Sequence, residues 1–344
     1  MYVNKNLPLK TMLQTGVMHL VWIMAWTGLV LFLFRYLNIQ WIRVPWTAVA
    51  VVGTAVSFYI GFKNNQAYDR LWEARKIWGA ITNLSRMWGS NLRGFITPQF
   101  SEKSVSDDHL GAIIRKMIYR HIAYLYALRA QLLVPAPWEH MSLNSRVASV
   151  NRKRMQKYGA GIFEHDHHHV MTAHLEKEEH ETLRAMVNIP THIIDLQSQQ
   201  LKHLRRENLI DDFRHMELQR LLNDMYTSQG QAERIKKFPL PRQYGNASRI
   251  FVAIFIFLLP FGLITEFGKC GSVGIWLFVP VVSIIAWIFL MMELVGDYSE
   301  NPFEGLGNDV PMLSICRNIE IDLKQMIQDP DIPESIKAQN GVLM

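Results

Sequence analysis

The sequence predicts an all-α membrane protein in which four membrane-spanning helices are continuous with a helical region outside the bilayer. Three observations lead there. Of the 344 residues 49% are hydrophobic, yet mean hydropathy is only +0.02, so the apolar residues are gathered in blocks. Four of these blocks are long enough, or nearly so, to cross a ~30 Å hydrocarbon core. Between the second and third blocks, apolar residues recur at the helical period and strand-like alternation of useful length is missing.

The first block runs from about Met12 to Leu37. It is too long for a signal-peptide core and lacks a small-residue cleavage site, so a retained helix is expected. The second runs from Val44 to Phe62, with Pro45 in the first turn, where a missing N–H does no harm. Beyond it, from Asn65 to about Leu92, the residues Leu71, Ala74, Trp78, Ile81, Leu84 and Trp88 share one helical face. Further helices are expected from about Leu110 to Leu133, from Glu176 to Arg206 with a kink at Pro190, and from Asp212 to about Lys236. Pro135 and Pro137 open a loop-rich, His-rich insertion at about 136–175. The third block, Ile250 to Phe267, reaches roughly 27 Å at ~1.5 Å per residue. The fourth runs from Val273 to Val295. Pro260 and Pro280 are expected to kink these two helices, since neighbours can satisfy the freed carbonyls. Trp41, Trp46, Trp276 and Trp287 lie in or beside the blocks, some at depths where interfacial aromatics are common. One domain is expected over 1–344, with 63–249 and 296–344 outside the bilayer.

Charge sets the orientation. Of the two short connections, the first carries only Arg43, with Arg35 just before it, and the second only Lys269. Lys5 and Lys10 precede the first block; Lys63, Arg70, Arg75 and Lys76 follow the second; Arg234, Lys236, Lys237, Arg242 and Arg249 precede the third. The positive-inside rule then places both termini and the 63–249 segment in the cytoplasm of a cell (inner) membrane. The net charge of +6 is modest, and 10 Trp with 17 Phe suit a membrane protein better than a nucleic-acid binder. Cys270 and Cys316 are far apart and form no metal-type spacing. A Gly-rich phosphate loop, a Gly-x-Ser-x-Gly elbow and a His-Glu-x-x-His pair are all missing, so an enzyme is the least favoured class. His19 is the one titratable group deep in a span, which argues against a proton-coupled transporter.

The second span carries the sharpest pattern. In steps of four, Thr54, Phe58 and Phe62 form one stripe and Gly53, Ser57 and Gly61 the stripe beside it. Small residues at that spacing let helices approach closely. Several copies packed by the small stripe would place the aromatic stripe around an axis, as a hydrophobic constriction that gates by dewetting. The other reading of the same stripe is that Phe58 and Phe62 face lipid or a neighbouring helix.

The polar run that follows supplies a resemblance. Gly61-Phe62-Lys63-Asn64-Asn65, then Tyr68, Arg70, Glu73-Ala74-Arg75 and Trp78-Gly79, resembles the bacterial branch of the bestrophin family. Two later stretches agree: Glu233-Arg234-Ile235 with Pro239, Pro241 and Tyr244, and Glu300-Asn301-Pro302-Phe303 with Asn308-Asp309-Val310-Pro311 and Cys316-Arg317-Asn318-Ile319-Glu320. The likeness covers most of the chain outside roughly 136–190.

The resemblance implies a homopentameric ion channel around an axial pore, with a neck at Thr54, Phe58 and Phe62 and a second, cytoplasmic aperture at Phe213 or, one turn on, Met216. The chain departs from the family in three places: Thr54 is polar where an apolar residue is usual, Ala232 replaces a Cys and Phe238 a Thr. Animal members bind calcium partly through an acidic cluster after Asn-Pro-Phe. In the run Glu304-Gly305-Leu306-Gly307-Asn308-Asp309 too few acids remain for six to eight oxygens, so neither a cofactor nor a calcium clasp is expected. The expected partners are further copies of the chain, lipid and small inorganic ions. Ring edges of Phe58 and Phe62 carry partial positive charge, and Lys63 and Arg70 flank them, so anions such as chloride are favoured over the alternative, sodium.

Two other constellations compete for attention. Nine of the 13 histidines fall between His165 and His215, and His165, His167 and His169 have spacings that suit a transition metal. A non-conducting, membrane-anchored metal or pH sensor is therefore a second functional class, against the duller reading of a solvated loop; a membrane scaffold for a partner protein is a third. Glu293 and Asp297, at the cytoplasmic end of the fourth span, fit partners for pore cations, but are expected instead to cap the helix or pair with a neighbouring Arg.

Overall fold

The computed structural model describes residues 1–4, 9–102, 104–142, 149–150, 152–153 and 173–344, with the side chains of 9–15 and 141 outside the description. Among the described residues are nine α-helices and no strand: α1 (Leu9–Arg35), α2 (Trp46–Phe95), α3 (Asp107–Leu133), α4 (Lys177–Arg184), α5 (Ile189–Arg206), α6 (Asp212–Lys237), α7 (Arg242–Lys269), α8 (Gly271–Asp297) and α9 (Met312–Met326). The chain divides into two compact units. A membrane unit comprises Asn4–Arg70 and Pro239–Glu300; a polar unit comprises Met1–Val3, Leu71–Phe238 and Asn301–Met344.

In the membrane unit α1, the first half of α2, α7 and α8 are each long and apolar enough to cross a bilayer. Their shared core includes Ile23 and Val30, Val56 and Ile60, Leu259, and Val282. Apolar burial alone does not hold helices together in lipid, so close backbone approach and buried polar contacts matter. Trp287 Nε1 donates to the Gly16 carbonyl at 3.0 Å, and a Cβ on Gly16 would meet that indole at 2.7 Å. Ser283 Oγ donates to Thr27 Oγ1 at 3.4 Å, also between α8 and α1. Gly262 of α7 sits on Val49, and Gly53 of α2 sits on Phe255 of α7. α7 and α8 continue as helices through Pro260 and Pro280.

In the polar unit the second half of α2 buries Ala74, Trp78, Ile81, Leu84 and Trp88, the face its period predicts. α3 starts where Ser106 accepts from the His109 N–H at 3.3 Å, with Asp107 and Asp108 in the favourable first turn. The stretch expected to be one helix from Glu176 to Arg206 is two. α4 ends at Arg184, and Asn188 caps α5 by accepting from the Thr191 N–H at 3.2 Å. Pro190 therefore stands in a first turn, where it starts a helix instead of kinking one. α6 is capped by Asp211, which accepts from the Arg214 N–H at 2.8 Å.

Several charged groups inside this unit are paired. Lys236 meets Glu139 at 2.6 Å and His140 Nδ1 meets Glu304 at 2.9 Å. Burial alone would raise the Glu320 carboxyl. Hydrogen bonds from His174, Tyr126 and Lys324 overcome it and hold the group at about 2. The polar unit also joins two distant stretches of chain: Val3 N donates to Gly341 O at 3.0 Å, and Leu343 N to Met1 O at 2.8 Å.

Candidate functional site

The geometry of α2 within the membrane unit separates two faces. Val49, Gly53, Val56, Ile60, Lys63 and Ala67 are buried. Spaced at three and four, they lie on one side of a helix that turns ~100° per residue. Thr54, Phe58 and Phe62 are exposed, the two rings by 68% and 66%. At ~100° per residue, the mean direction of these three residues lies about 180° from the mean direction of the buried six. The face that packs into the chain and the aromatic stripe are thus diametrically opposed. Two large apolar rings left this far open call for lipid or another protein surface.

The hydroxyls along this stretch are turned into the helix. Thr54 Oγ1 donates to Ala50 O at 3.0 Å and Ser57 Oγ to Gly53 O at 2.8 Å. The small-residue stripe divides between two environments. Gly53 is buried, and a Cβ there would come within 2.7 Å of the Phe255 ring of α7; Gly61 has nothing within 4 Å of such a Cβ, and Ser57 is exposed.

Lys63 departs from expectation. It is only 3% exposed and its Nζ bonds Glu293 Oε1 of α8, itself 3% exposed. Ser248 of α7 donates to the other Glu293 oxygen. Lys63 is thus no basic flank beside the rings, because a carboxylate neutralises it on the buried side of α2. The same bond corrects the expectation for Glu293, whose partner is a lysine of α2 and not a neighbouring arginine. Asn64, next along the chain, donates to Met292 O at 3.2 Å. A Cβ on Gly296 would lie 2.1 Å from Asn64 Oδ1, so only glycine lets α8 come this close.

The family model for bacterial and fungal bestrophin proteins matches residues 10–325. The chain belongs to the bestrophin family. Among relatives, the voltage-dependent anion channel-forming protein YneE of Escherichia coli K12 is 27% identical over 88% of this chain and 83% of its own. The voltage-dependent anion channel-forming protein RSc3414 of Ralstonia nicotianae is 25% identical over 86% and 82%. The crystal structure of a bacterial bestrophin homolog from Klebsiella pneumoniae superposes with a TM-score of 0.73 at 20% identity, covering 92% of this chain and 99% of that one. That likeness shows the fold.

The family's motif residues have distinct tasks in this bestrophin. Asn65 is exposed, Arg70 half-buried and Arg75 exposed. Arg234 of α6 pairs with Glu73 of α2 at 2.5 Å. Glu233 gathers three elements: it accepts from Gln229 of its own helix at 2.8 Å, Asn188 before α5 at 3.0 Å and Gln131 of α3 at 3.2 Å. Asn301, Pro302 and Phe303 are buried, and Pro302 O accepts from Val310 N at 3.2 Å. Phe213 and Met216, in the first turns of α6, are 85% and 70% exposed and line an open groove with Arg220 and Asn223.

In the run from Glu304 to Asp309 the acids face inward. Glu304 is bound to His140, while Asp309 Oδ2 accepts from the N–H groups of Gly305 at 2.7 Å and Leu306 at 2.9 Å. Complete burial, with the Glu304 charge adding to it, pushes the Asp309 carboxyl up to about 8 against those two N–H bonds. His165, His167 and His169 lie outside the described residues. Among the described residues no group of three or more His, Cys, Asp or Glu side chains could hold a metal ion.

Sequence reasoning missed the Lys63–Glu293 bond and the buried pairs of Glu139 and His140. The first had a signal: Lys63 falls in the same three-four register as Val49, Gly53, Val56 and Ile60. The others join residues 97 and 164 positions apart and leave no local pattern.

Proposed function

We propose that the chain is the subunit of a homopentameric channel that conducts anions passively through a neck lined by Thr54, Phe58 and Phe62. The observation that carries this reading is the outward aromatic stripe, opposite the face α2 uses for packing. Five such stripes turned to a common axis form a narrow apolar ring, which conducts when wetted and closes by dewetting. Ser57 and Gly61, beside the rings and open, let neighbouring copies of α2 approach. Phe213 or, one turn on, Met216 forms the second constriction.

Anion preference draws on two supports. Ring edges present partial positive charge to an ion on the axis. The relatives in Escherichia coli and Ralstonia nicotianae carry the name of voltage-dependent anion channel-forming proteins. With Lys63 neutralised by Glu293, its charge contributes nothing to the preference. The protein resides in the inner membrane with both termini in the cytoplasm, in keeping with Arg70, Arg75 and Lys76 after the second span and few positive charges in the short connections. It needs no calcium, since Glu304 and Asp309 already have partners within their own unit.

Planar-bilayer recording of the purified protein under a sodium chloride gradient tests the reading. The reversal potential is expected to follow the chloride gradient, and Phe58→Ala to raise conductance several-fold by widening the ring. A reversal potential that follows sodium rejects the anion assignment. Conductance and gating unchanged in Phe58→Ala reject the neck.

A further inference from the structure

Along the packing face of α2 the contacts from Val49 to Ile60 are apolar. Val49 lies against Gly262, Gly53 against Phe255, and Val56 and Ile60 enter the membrane unit's core. Such contacts carry shape but no hydrogen bond or charge. They set how closely α2 approaches α7, but they place no directional bond between α2 and α8. Lys63 supplies one; it is one residue past Phe62 and on the buried side. Its ammonium bonds one oxygen of Glu293 from α8, and Ser248 of α7 occupies the other. Asn64 adds a hydrogen bond to the α8 backbone at Met292, held close by Gly296. Three helices of one unit meet in this polar knot, one residue along α2 from the last ring of the stripe and on the buried side of the helix.

We propose that the Lys63–Glu293–Ser248 knot is the positioning device that sets the rotation of α2 and so aims Phe58 and Phe62. The inference rests on the reading of those rings as the neck. Paired and hydrogen-bonded buried charges tolerate little change in geometry, and fixing register is the best-attested use of such groups. The lever is large. A turn of ~20° moves a ring carried ~5–6 Å from the helix axis by roughly 2 Å, enough to withdraw it from a narrow constriction. Rings that can turn in and out have open and closed states of similar population; rings held by the knot have one preferred aim.

Removing one charge alone strands the other and threatens folding, so the test removes or exchanges both. Three channels are compared in planar bilayers: wild type, the neutral pair Lys63→Met with Glu293→Gln, and the exchanged pair Lys63→Glu with Glu293→Lys. The neutral pair is expected to melt within a few degrees of wild type yet change open probability at least threefold, with the exchanged pair returning toward wild type. The second measurement needs no current. A spin label on Phe58→Cys, in a background with the exposed Cys270 changed to Ser, is expected to report faster motion in the neutral pair than with the knot intact. Wild-type gating together with an unaltered spectrum in the neutral pair overturns the positioning role. A wild-type protein that passes no current fails the channel reading instead, and the label still decides whether the knot orients α2.

Discussion

Replacing Gly262 by alanine tests how closely α2 and α7 must approach. A Cβ at 262 would lie 2.7 Å from Cγ2 of Val49, 3.1 Å from its Cβ and 3.6 Å from Cγ1. Carbon atoms prefer ~3.5–4.0 Å. Val49 is β-branched in a helix, where one χ1 well dominates, so it cannot turn aside. The helices must part by roughly 1 Å, and overpacking of this kind costs about 1–3 kcal/mol. Alanine in place of glycine inside a helix returns ~1 kcal/mol, leaving a net loss of about 0–2 kcal/mol, centred on about 1 kcal/mol. Gly53→Ala supplies the comparison from the same interface. Its Cβ would also reach 2.7 Å, but from Cε2 at the rim of the Phe255 ring, with Cζ at 3.2 Å. A ring can tilt where a valine cannot, so here the helix gain and the steric cost should nearly cancel. The assay is unfolding in mixed detergent micelles, read by circular dichroism, for both single variants and for Gly262→Ala combined with Val49→Ala. The cost of Gly262→Ala should vanish in the Val49→Ala background. An effect of Gly262→Ala that does not depend on residue 49 would refute the reasoning.

Other outcomes follow from buried charges. Lys236→Met leaves Glu139 buried without its cation and is expected to cost about 3–5 kcal/mol, while Lys236→Met with Glu139→Gln should recover most of it; denaturant midpoints of the three proteins decide. For Asp309 the folded-state value of about 8 lies above its ordinary 3.8. The folded protein therefore holds that proton more tightly, and the stability this contributes is complete below pH ~4 and lost as pH rises to ~8. At ~1.36 kcal/mol per pH unit the loss is at most roughly 6 kcal/mol. Both N–H groups bond a single oxygen of Asp309, so Asp309→Asn keeps them satisfied. Its melting temperature should fall less between pH 5 and 8 than that of wild type; parallel curves would show that no charge is being buried. Isothermal titration with calcium should show no micromolar site, and a saturable one would reverse the assignment of Glu304 and Asp309 to their own unit.

The spans and the stripe at Thr54, Phe58 and Phe62 were legible because both express one local rule, the helical period, over consecutive residues. The break before α5 was also written locally. Asn188 and Pro190 form a cap and a first turn, but the apolar period on either side runs on in phase and suggests one helix. What stayed hidden was which arc of α2 faces inward. Gly53, Ser57 and Gly61 step by about 40° around the helix, and three small residues in a row fit a seam with α7 or a seam with another copy equally well. Only the placement of Phe255 puts Gly53 in the first and leaves Gly61 open.

Lys63 shows why such a choice escapes sequence patterns. A lysine just past an apolar block looks like an interfacial anchor, and its long stem lets it serve as one. What buries it is a carboxylate 230 positions later, at the end of α8, held by a serine of α7. Neither residue is unusual where it stands: Glu293 looks like a helix-end acid, Ser248 like part of a polar approach to α7. Burying a charge in a membrane protein is costly enough that the partner has to be present, so once Lys63 falls in register with Val49, Val56 and Ile60, the partner can be sought. The acids near the ends of the other spans are few: Glu266 is taken up with Lys269 at 2.9 Å, and Asp297 lies four residues beyond Glu293 on the same helix. The register of α2 therefore narrows the search to the end of α8, a step available from the sequence if charged residues in the apolar register are read as buried first and as flanks second.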